Sequence, residues 1–477
     1  MCKCFSPIIG FFYYFFPDPD GIISLFPTYT VKKGAAMSLL YDFLCTANHF
    51  LWNGPLLFFL LGTHLFFTIR LGFIQKHLKK TFHFSKESNR SQSFRSLSTA
   101  LAATLGTGNI VGVSSAIALG GPGAVFWCWL TGLLGMATAY AECYLSMLYR
   151  KKEANGSWKG GMMYVWENAL HNKKAGKLFA FLLLIASFGI GCSTQAGTVT
   201  ESVSLLTGSS PVITGLLLVF AVGYVILHGS GSIKKICGIL VPSMAICYIV
   251  ACLFLLLLNR EFLLPSLKLI LSSAFTPTAA LGGIAGGSFL FSARYGIARG
   301  LFTNEAGLGT APLAFTDEEE NSSTSATKKS SAENSALLSM SAVFFDTVIL
   351  CALTGIVILS ALLRHPGIAA MYSPTTLTNA AFALLPGGET FLSLSLIAFA
   401  FATLVGWSHF GAQAASYLFG ETSLNTYRIC YLGMIYAGSV LSLPLIWEMT
   451  DFINACMVIP NVLALLLLYR HIKPPTN

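Results

Sequence analysis

The amino-acid sequence predicts an all-α polytopic membrane protein of about eleven transmembrane helices. They form two five-helix blocks of opposite orientation behind one extra N-terminal span. Three observations predict this. Of the 477 residues, 54% are hydrophobic and only 10% are charged, against about 25% charged in soluble domains. Eleven apolar stretches are long enough to cross a bilayer. Two of these spans carry glycine clusters at corresponding places, each opening a block of five, and five is odd, so the second block inserts upside down.

The stretches lie at 53–73, 97–120, 124–149, 178–207, 211–228, 236–258, 279–301, 336–363, 391–419, 428–447 and 450–470. Those at 178–207 and 391–419 are long enough to be tilted. The organisation that follows is an extension over 1–36, an extra first helix over 37–76, and a basic amphipathic segment over 77–95 on the membrane surface. A first repeat covers 97–260 and a second covers 279–470. The segment 159–172 reads as a short interfacial element, and the polar run TDEEENSSTSATKKSSAENS at 316–335 reads as a flexible loop. The extension is broken by Pro17, Pro19 and Pro27 and lacks the parts of a signal peptide. We expect translation to begin at Met37. Mass spectrometry that recovered an intact peptide from Phe5 to Lys32 would contradict this.

The net charge of +9 does not imply nucleic acid, because the basic residues do not gather with aromatics on a polar domain. They mark topology instead. Arg70, Lys76, Lys79 and Lys80 follow the first span, and Arg150, Lys151, Lys152 and Lys159 follow the third; the opposite side has Arg260, Lys268 and Arg364. This asymmetry puts the C-terminus in the cytoplasm and runs the second span from inside to outside. Most of the 12 cysteines lie in apolar runs without zinc or disulfide spacing, as buried reduced thiols do. There is no GxxxxGK[ST] phosphate loop and no heme, zinc or nucleophile motif. The chain therefore reads as neither an ATP-driven pump nor an enzyme.

The second span is interrupted by Gly106-Thr107-Gly108-Asn109. Glycine disfavours a helix interior by roughly 0.5–1 kcal/mol relative to Ala. Opened backbone at membrane depth is tolerated only where it is buried in protein or lines a cavity, where its amides and carbonyls can bind a small charged solute and a cation. Close helix packing alone is the simpler reading of small residues, and the two are compatible. The seventh span carries Gly282-Gly283-Ile284-Ala285-Gly286-Gly287-Ser288-Phe289, which is expected to be its break.

The run LGTGNIVGVSSAIALGGPGAVFWCWLTGLLGMATAYAECYLSMLYR resembles the alanine or glycine:cation symporter family, the bacterial sodium:alanine symporters. Gly120 to Trp127 is similar to its signature, with Cys128 where Met is usual. RYGIARGLFTNEAGLG at 294–309 and the terminal DFINACMVIPNVLALLLLYR also match. The resemblance covers roughly Asn48 to Arg470 and implies a LeuT-type five-plus-five inverted repeat with one additional N-terminal span.

The intramembrane polar groups supply the rest. Gln195 reads as a helix–helix clasp or as a substrate contact; its match to a family IGNxxQ pattern, with Cys192 in place of Asn, favours the contact. Thr403 and Trp407 lie i, i+4 on one helix face; their match to a TLxGW pattern makes Trp407 a pocket wall. The Thr403 hydroxyl is a candidate sodium ligand beside carbonyls of the second span, since hard cations take oxygen. Asp346 is the deepest lone carboxylate, a functional candidate by default, for sodium coordination or a gate; the alternative is an acid paired with Arg294 or Arg299. Arg294 and Glu305 are candidate gate residues towards the cytoplasmic end of the seventh span. Glu142 and Glu201, nearer span ends, are assigned structural hydrogen bonds.

The function expected is sodium-coupled import of alanine or glycine across the inner membrane of a bacterium, with no cofactor beyond the coupling Na+. The partners are a small neutral amino acid, sodium and the lipid bilayer. Gly106, Thr107 and Gly108 would hold the substrate carboxylate by their amides, and carbonyls of the seventh-span break would meet the ammonium. Gln195, Phe289, Thr403 and Trp407 would close the pocket. Asn109, Thr403 and Asp346 are the candidate sodium ligands. Two alternatives remain open: a proton-coupled transporter in which Asp346 titrates, and an amino-acid-binding channel or sensor.

Overall fold

The computed structural model describes residues 35–52, 54–79, 81, 90–153, 158–275, 287–316, 325–373, 375–440 and 443–475. The expectation for 1–36 thus falls almost wholly outside the described residues. The first span is two helices, α1 (Ala35–Trp52) and α2 (Pro55–Arg70), meeting at 43°. Pro55 sits at the first turn of α2, where its missing N–H costs nothing. The segment expected to lie on the surface over 77–95 is described only in part. From Arg90 onward it is already the first turn of α3 (Arg90–Thr104).

The second span is α3 and α4 (Val111–Gly120), joined at 54° through the turn Thr107–Asn109. Then come α5 (Gly123–Leu148), a two-residue hairpin pairing Lys151 with Lys159, and α6 (Met162–Asn168). The element expected at the interface is instead buried: Met162, Met163 and Val165 are fully enclosed, because α6 packs under α7 (Lys173–Phe188). A π-helical stretch, Gly189–Ser193, carries α7 into α8 (Thr194–Thr207). After these follow α9 (Pro211–Leu227), α10 (Ser230–Leu258) and α11 (Arg260–Phe275); the sequence reading had no helix for the last.

The second half begins with α12 (Gly287–Asn304) and continues with α13 (Ser325–Val343), a π-helical stretch at Phe344–Cys351, and α14 (Ala352–Arg364). The loop expected over 316–335 therefore ends early. The Ala, Lys and Glu of SATKKSSAENSA favour helix, and α13 starts at Ser325. A short α15 (Leu377–Phe382) precedes α16 (Gly388–Phe419), α17 (Leu424–Val440) and α18 (Leu443–Leu467).

Among the described residues, six helices are long and apolar enough to span alone, two bent pairs add a span each, and Pro211–Leu227 is a shorter apolar helix. The other two expected spans are α12 and α17. Burial separates centre from rim: 72% of the apolar window of α5 is buried, against 28% for α10. Helix α5 packs against α2, α12 and α13, and α16 packs against α3, α7 and α8. The broken second span is held between these two groups.

Candidate functional site

The second span opens after Thr104. The Gly106 N–H turns back onto the Thr104 carbonyl at 2.8 Å, and Thr107–Asn109 makes one 3-10 turn. A Cβ on Gly106 would stand 2.7 Å from Thr403 Oγ1 and 3.4 Å from Gln195 Oε1. Only glycine lets the three elements meet.

Each end of this turn has a partner from another helix. Gln195 accepts the Thr107 N–H at 3.4 Å and donates to the Ile190 carbonyl at 3.2 Å, inside the π-helical stretch. The Thr403 hydroxyl faces the Ala102 carbonyl at 3.0 Å and the Phe399 carbonyl at 3.1 Å. The Asn109 amide donates to Asp346 Oδ1 at 2.7 Å and to the Asp346 carbonyl at 2.9 Å; Thr347 donates to Asp346 Oδ2 at 2.8 Å. Asp346 therefore grips the broken span and is not paired with either arginine. Asn109 Oδ1 and Thr107 Oγ1 are buried with no partner among the described residues, which is uncommon for polar atoms in a folded interior.

Trp407 is wholly buried. Its indole N–H donates to Glu305 Oε1 at 2.9 Å. Its ring base lies so close to Gly191 that a Cβ there would be 2.3 Å from Trp407 Cβ. Gly191→Ala is expected to destabilise the fold by about 1–3 kcal/mol through overpacking, read as a lower melting temperature of the purified protein.

The break expected over Gly282 to Phe289 is described only at its end. Residues 282–286 lie outside the described residues, and Gly287 already begins α12. Phe289 is 37% exposed, with its ring 5.4 Å from Trp127. It lies roughly 24 Å along the helix axis from Glu305 at 1.5 Å per residue, so it is not brought to the other pocket residues. Among the described residues, the backbone opens after Asn304, where Glu305, Gly307 and Gly309 take positive φ of 56°, 103° and 73°. Such φ is rare for a residue other than glycine. Thr310 donates to Glu305 Oε2 at 2.5 Å. The two openings abut: a Cβ on Gly108 would be 2.9 Å from Thr303 Oγ1 and 3.0 Å from Phe302.

That second opening has its own brace. Glu142 Oε1 accepts the Gly307 N–H at 2.8 Å, the Gly309 N–H at 3.2 Å and the Asn461 amide at 2.6 Å; the same amide reaches the Gly307 carbonyl at 2.8 Å. The structural bonds expected of Glu142 are thus bonds to opened backbone. Asn461, Thr303 and Phe302 had no reading from sequence. The available signal was Gly307-x-Gly309 inside NEAGLG.

Arg294 and Glu305 do not meet. Arg294 lies over the Tyr295 ring at 5.0 Å. Arg299 makes the ion pair, donating to both carboxylate oxygens of Asp451 at 3.0 Å and stacking over Trp447 at 4.6 Å. Arg299 lies nearer the end of α12, and Arg294 lies nearer its start, the side where α18 also begins. The opposite side is tied by Gln413 to the Leu313 carbonyl at 3.1 Å and by Arg150 to the Thr316 carbonyl at 3.2 Å. There Lys159 pairs with Glu421 and, with Ser416, holds that carboxyl below the usual carboxylate range.

The model of the sodium:alanine symporter family matches residues 37–476. The chain is 41% identical over 437 residues to the sodium/alanine symporter AgcS of Methanococcus maripaludis, covering 89% of this chain and 93% of that one. It is 34% identical to the probable sodium/glutamine symporter GlnT of Bacillus subtilis, covering 89% and 87%. Among solved structures it resembles MhsT in complex with L-phenylalanine, with a TM-score of 0.53, 17% identity, and 78% and 88% covered. The fold is the LeuT type, five plus five helices with one extra N-terminal span. Matched by the family model and by relatives over nearly its full length, the chain belongs to the sodium:alanine symporter family and is a multi-pass membrane symporter of amino acids.

Proposed function

We propose that the protein couples inward sodium flow to uptake of alanine or glycine across a bacterial cytoplasmic membrane, with its C-terminus in the cytoplasm. The observation that carries this reading is the opened second span, held at once by Gln195 and Asp346 at the turn Thr107–Asn109 and by Thr403 at the Ala102 carbonyl before it. The amides of that turn bind the substrate carboxylate, and the carbonyls freed at Glu305–Thr310 meet its ammonium. The tight approach of Gly106, Thr403 and Gln195 leaves room only for a small solute, which favours alanine or glycine over larger side chains. Trp407 walls the pocket.

Sodium suits the oxygens that surround the turn. Thr403 Oγ1 and the Ala102 carbonyl lie together, and Asn109 Oδ1 is buried without a partner among the described residues. A hard cation satisfies such a set and fixes the opened span, so substrate binding costs less once the ion is in. Asp346 contributes by orienting Asn109. Arg299 and Asp451, under Trp447, tie α12 to α18 beside this site.

Uptake of labelled alanine and glycine into proteoliposomes tests the reading. Accumulation is expected with an imposed sodium gradient and not with a proton gradient alone. Accumulation driven by protons without sodium would move the coupling role to Asp346.

A further inference from the structure

A small pocket that the transport site does not use lies between α8, α15 and α16, beside the start of α4. Thr198, Glu201 and Ser202 of α8 line one wall; at i, i+3 and i+4 they share a helix face. Asn379 of α15 and Ser393 of α16 line the others, and the broken span reaches the pocket through Val111, two residues beyond Asn109. The structural hydrogen bonds expected of Glu201 are not made: its carboxylate has neither a hydrogen bond nor an ion pair among the described residues. The side chains of Ser202, Asn379 and Ser393, only 3%, 7% and 3% exposed, likewise bond to no described residue. Four polar side chains without partners around one space are uncommon in a folded interior. Among the described residues that line the pocket, Glu201 carries the sole formal charge. The segment holding Asn379 is pinned to the broken span. The Thr378 N–H donates to Ser114 Oγ at 3.1 Å, and the Thr378 hydroxyl donates to the Ile110 carbonyl at 3.2 Å.

We propose that this pocket is a second sodium site, apart from the one at Thr403, and that an ion held there ties α8 to α15 and α16 beside the opened span. A carboxylate kept largely from water is costly without a countercharge, and sodium supplies it. The Glu201 carboxylate, the Asn379 carbonyl oxygen and the Ser202 and Ser393 hydroxyls are oxygen ligands, the kind a hard cation takes. The room inside is about that of one water molecule. A bare sodium ion fits such a space and a whole amino acid does not, which gives the pocket to the ion rather than to the substrate's ammonium group. Thr378 holds the Ile110 carbonyl just beyond the turn, as Thr403 holds the Ala102 carbonyl before it. An ion on Asn379 therefore steadies the broken span on its far side. On the topology proposed above, the pocket lies outward of the turn, so an external ion meets it first.

The sidedness of the pocket and its part in uptake rest on the sodium-coupled reading above; the binding of the ion does not. Equilibrium binding of labelled sodium to the purified full chain, in choline and without amino acid, tests it. E201Q is expected to bind one ion fewer than the wild type, while T403V weakens the other ion about tenfold. S393A, which keeps the charge and loses one oxygen, is expected to raise the half-saturating sodium of the Glu201-dependent ion about fivefold. E201Q that binds as many ions as the wild type, with the same half-saturation, overturns the proposal. Wild-type binding in S393A overturns it even if E201Q does not fold. Alanine that displaces the Glu201-dependent ion would give the pocket to the substrate's ammonium and overturn the assignment to sodium. An ion lost in E201Q beside unchanged sodium binding in T403V would keep this site and overturn instead the sodium site of the reading above.

Discussion

Thr403→Val is expected to raise the sodium concentration for half-maximal alanine uptake by at least about tenfold, a loss of about 1.4 kcal/mol of ion binding. Thr403 Oγ1 lies 3.0 Å from the Ala102 carbonyl, at the point where α16 meets the broken span. Valine keeps the shape of threonine but replaces an oxygen with a methyl group, and sodium has no use for a methyl. The fold should tolerate the change, because the same hydroxyl otherwise only back-bonds to Phe399 of its own helix. The measurement is uptake as a function of external sodium, beside the melting temperature of the purified variant. An unchanged sodium dependence would place the ion elsewhere.

Trp407→Ala is expected to have the largest effect on selectivity. The indole is fully enclosed against Gly191 and donates to Glu305. Its removal costs about 3–5 kcal/mol of stability if the site does not collapse, and it leaves Glu305 Oε1 short of a donor. Space opens beside the turn that holds the substrate, so serine and leucine should begin to compete with labelled alanine. Trp407→Phe separates the two contributions: it keeps most of the wall and loses the hydrogen bond, so selectivity should hold while the rate falls. Competition by alanine, serine and leucine unchanged in Trp407→Ala would make the residue packing alone.

The helical, membrane-spanning character was legible because the apolar runs are long and the charges few. The opened second span was legible because Gly106 to Asn109 concentrates two glycines, a threonine and an asparagine in the middle of a span. Gln195, Thr403 and Asp346 were legible as polar groups at apolar depth, and all three reach that span in the structure. The seventh span was legible only in part. Its densest glycine run, near Gly282, draws attention away from Gly307 and Gly309, whose positive φ marks the described opening. Composition counts glycines; it does not say which of them take left-handed backbone. Asp451 and Asn461 were illegible for another reason. Their partners, Arg299 and Glu142, lie far away in sequence, and only the packing of α18 against the first half brings them together.

The measurement that tests the central claim most directly is equilibrium binding of alanine to the purified protein, in saturating sodium and in choline. If sodium organises the opened second span, alanine should bind at least about tenfold tighter in sodium, and alanine should tighten sodium binding by the same factor, as linkage requires. Equal alanine affinity in sodium and in choline would contradict the account, because the opened span would then need no ion to receive its solute.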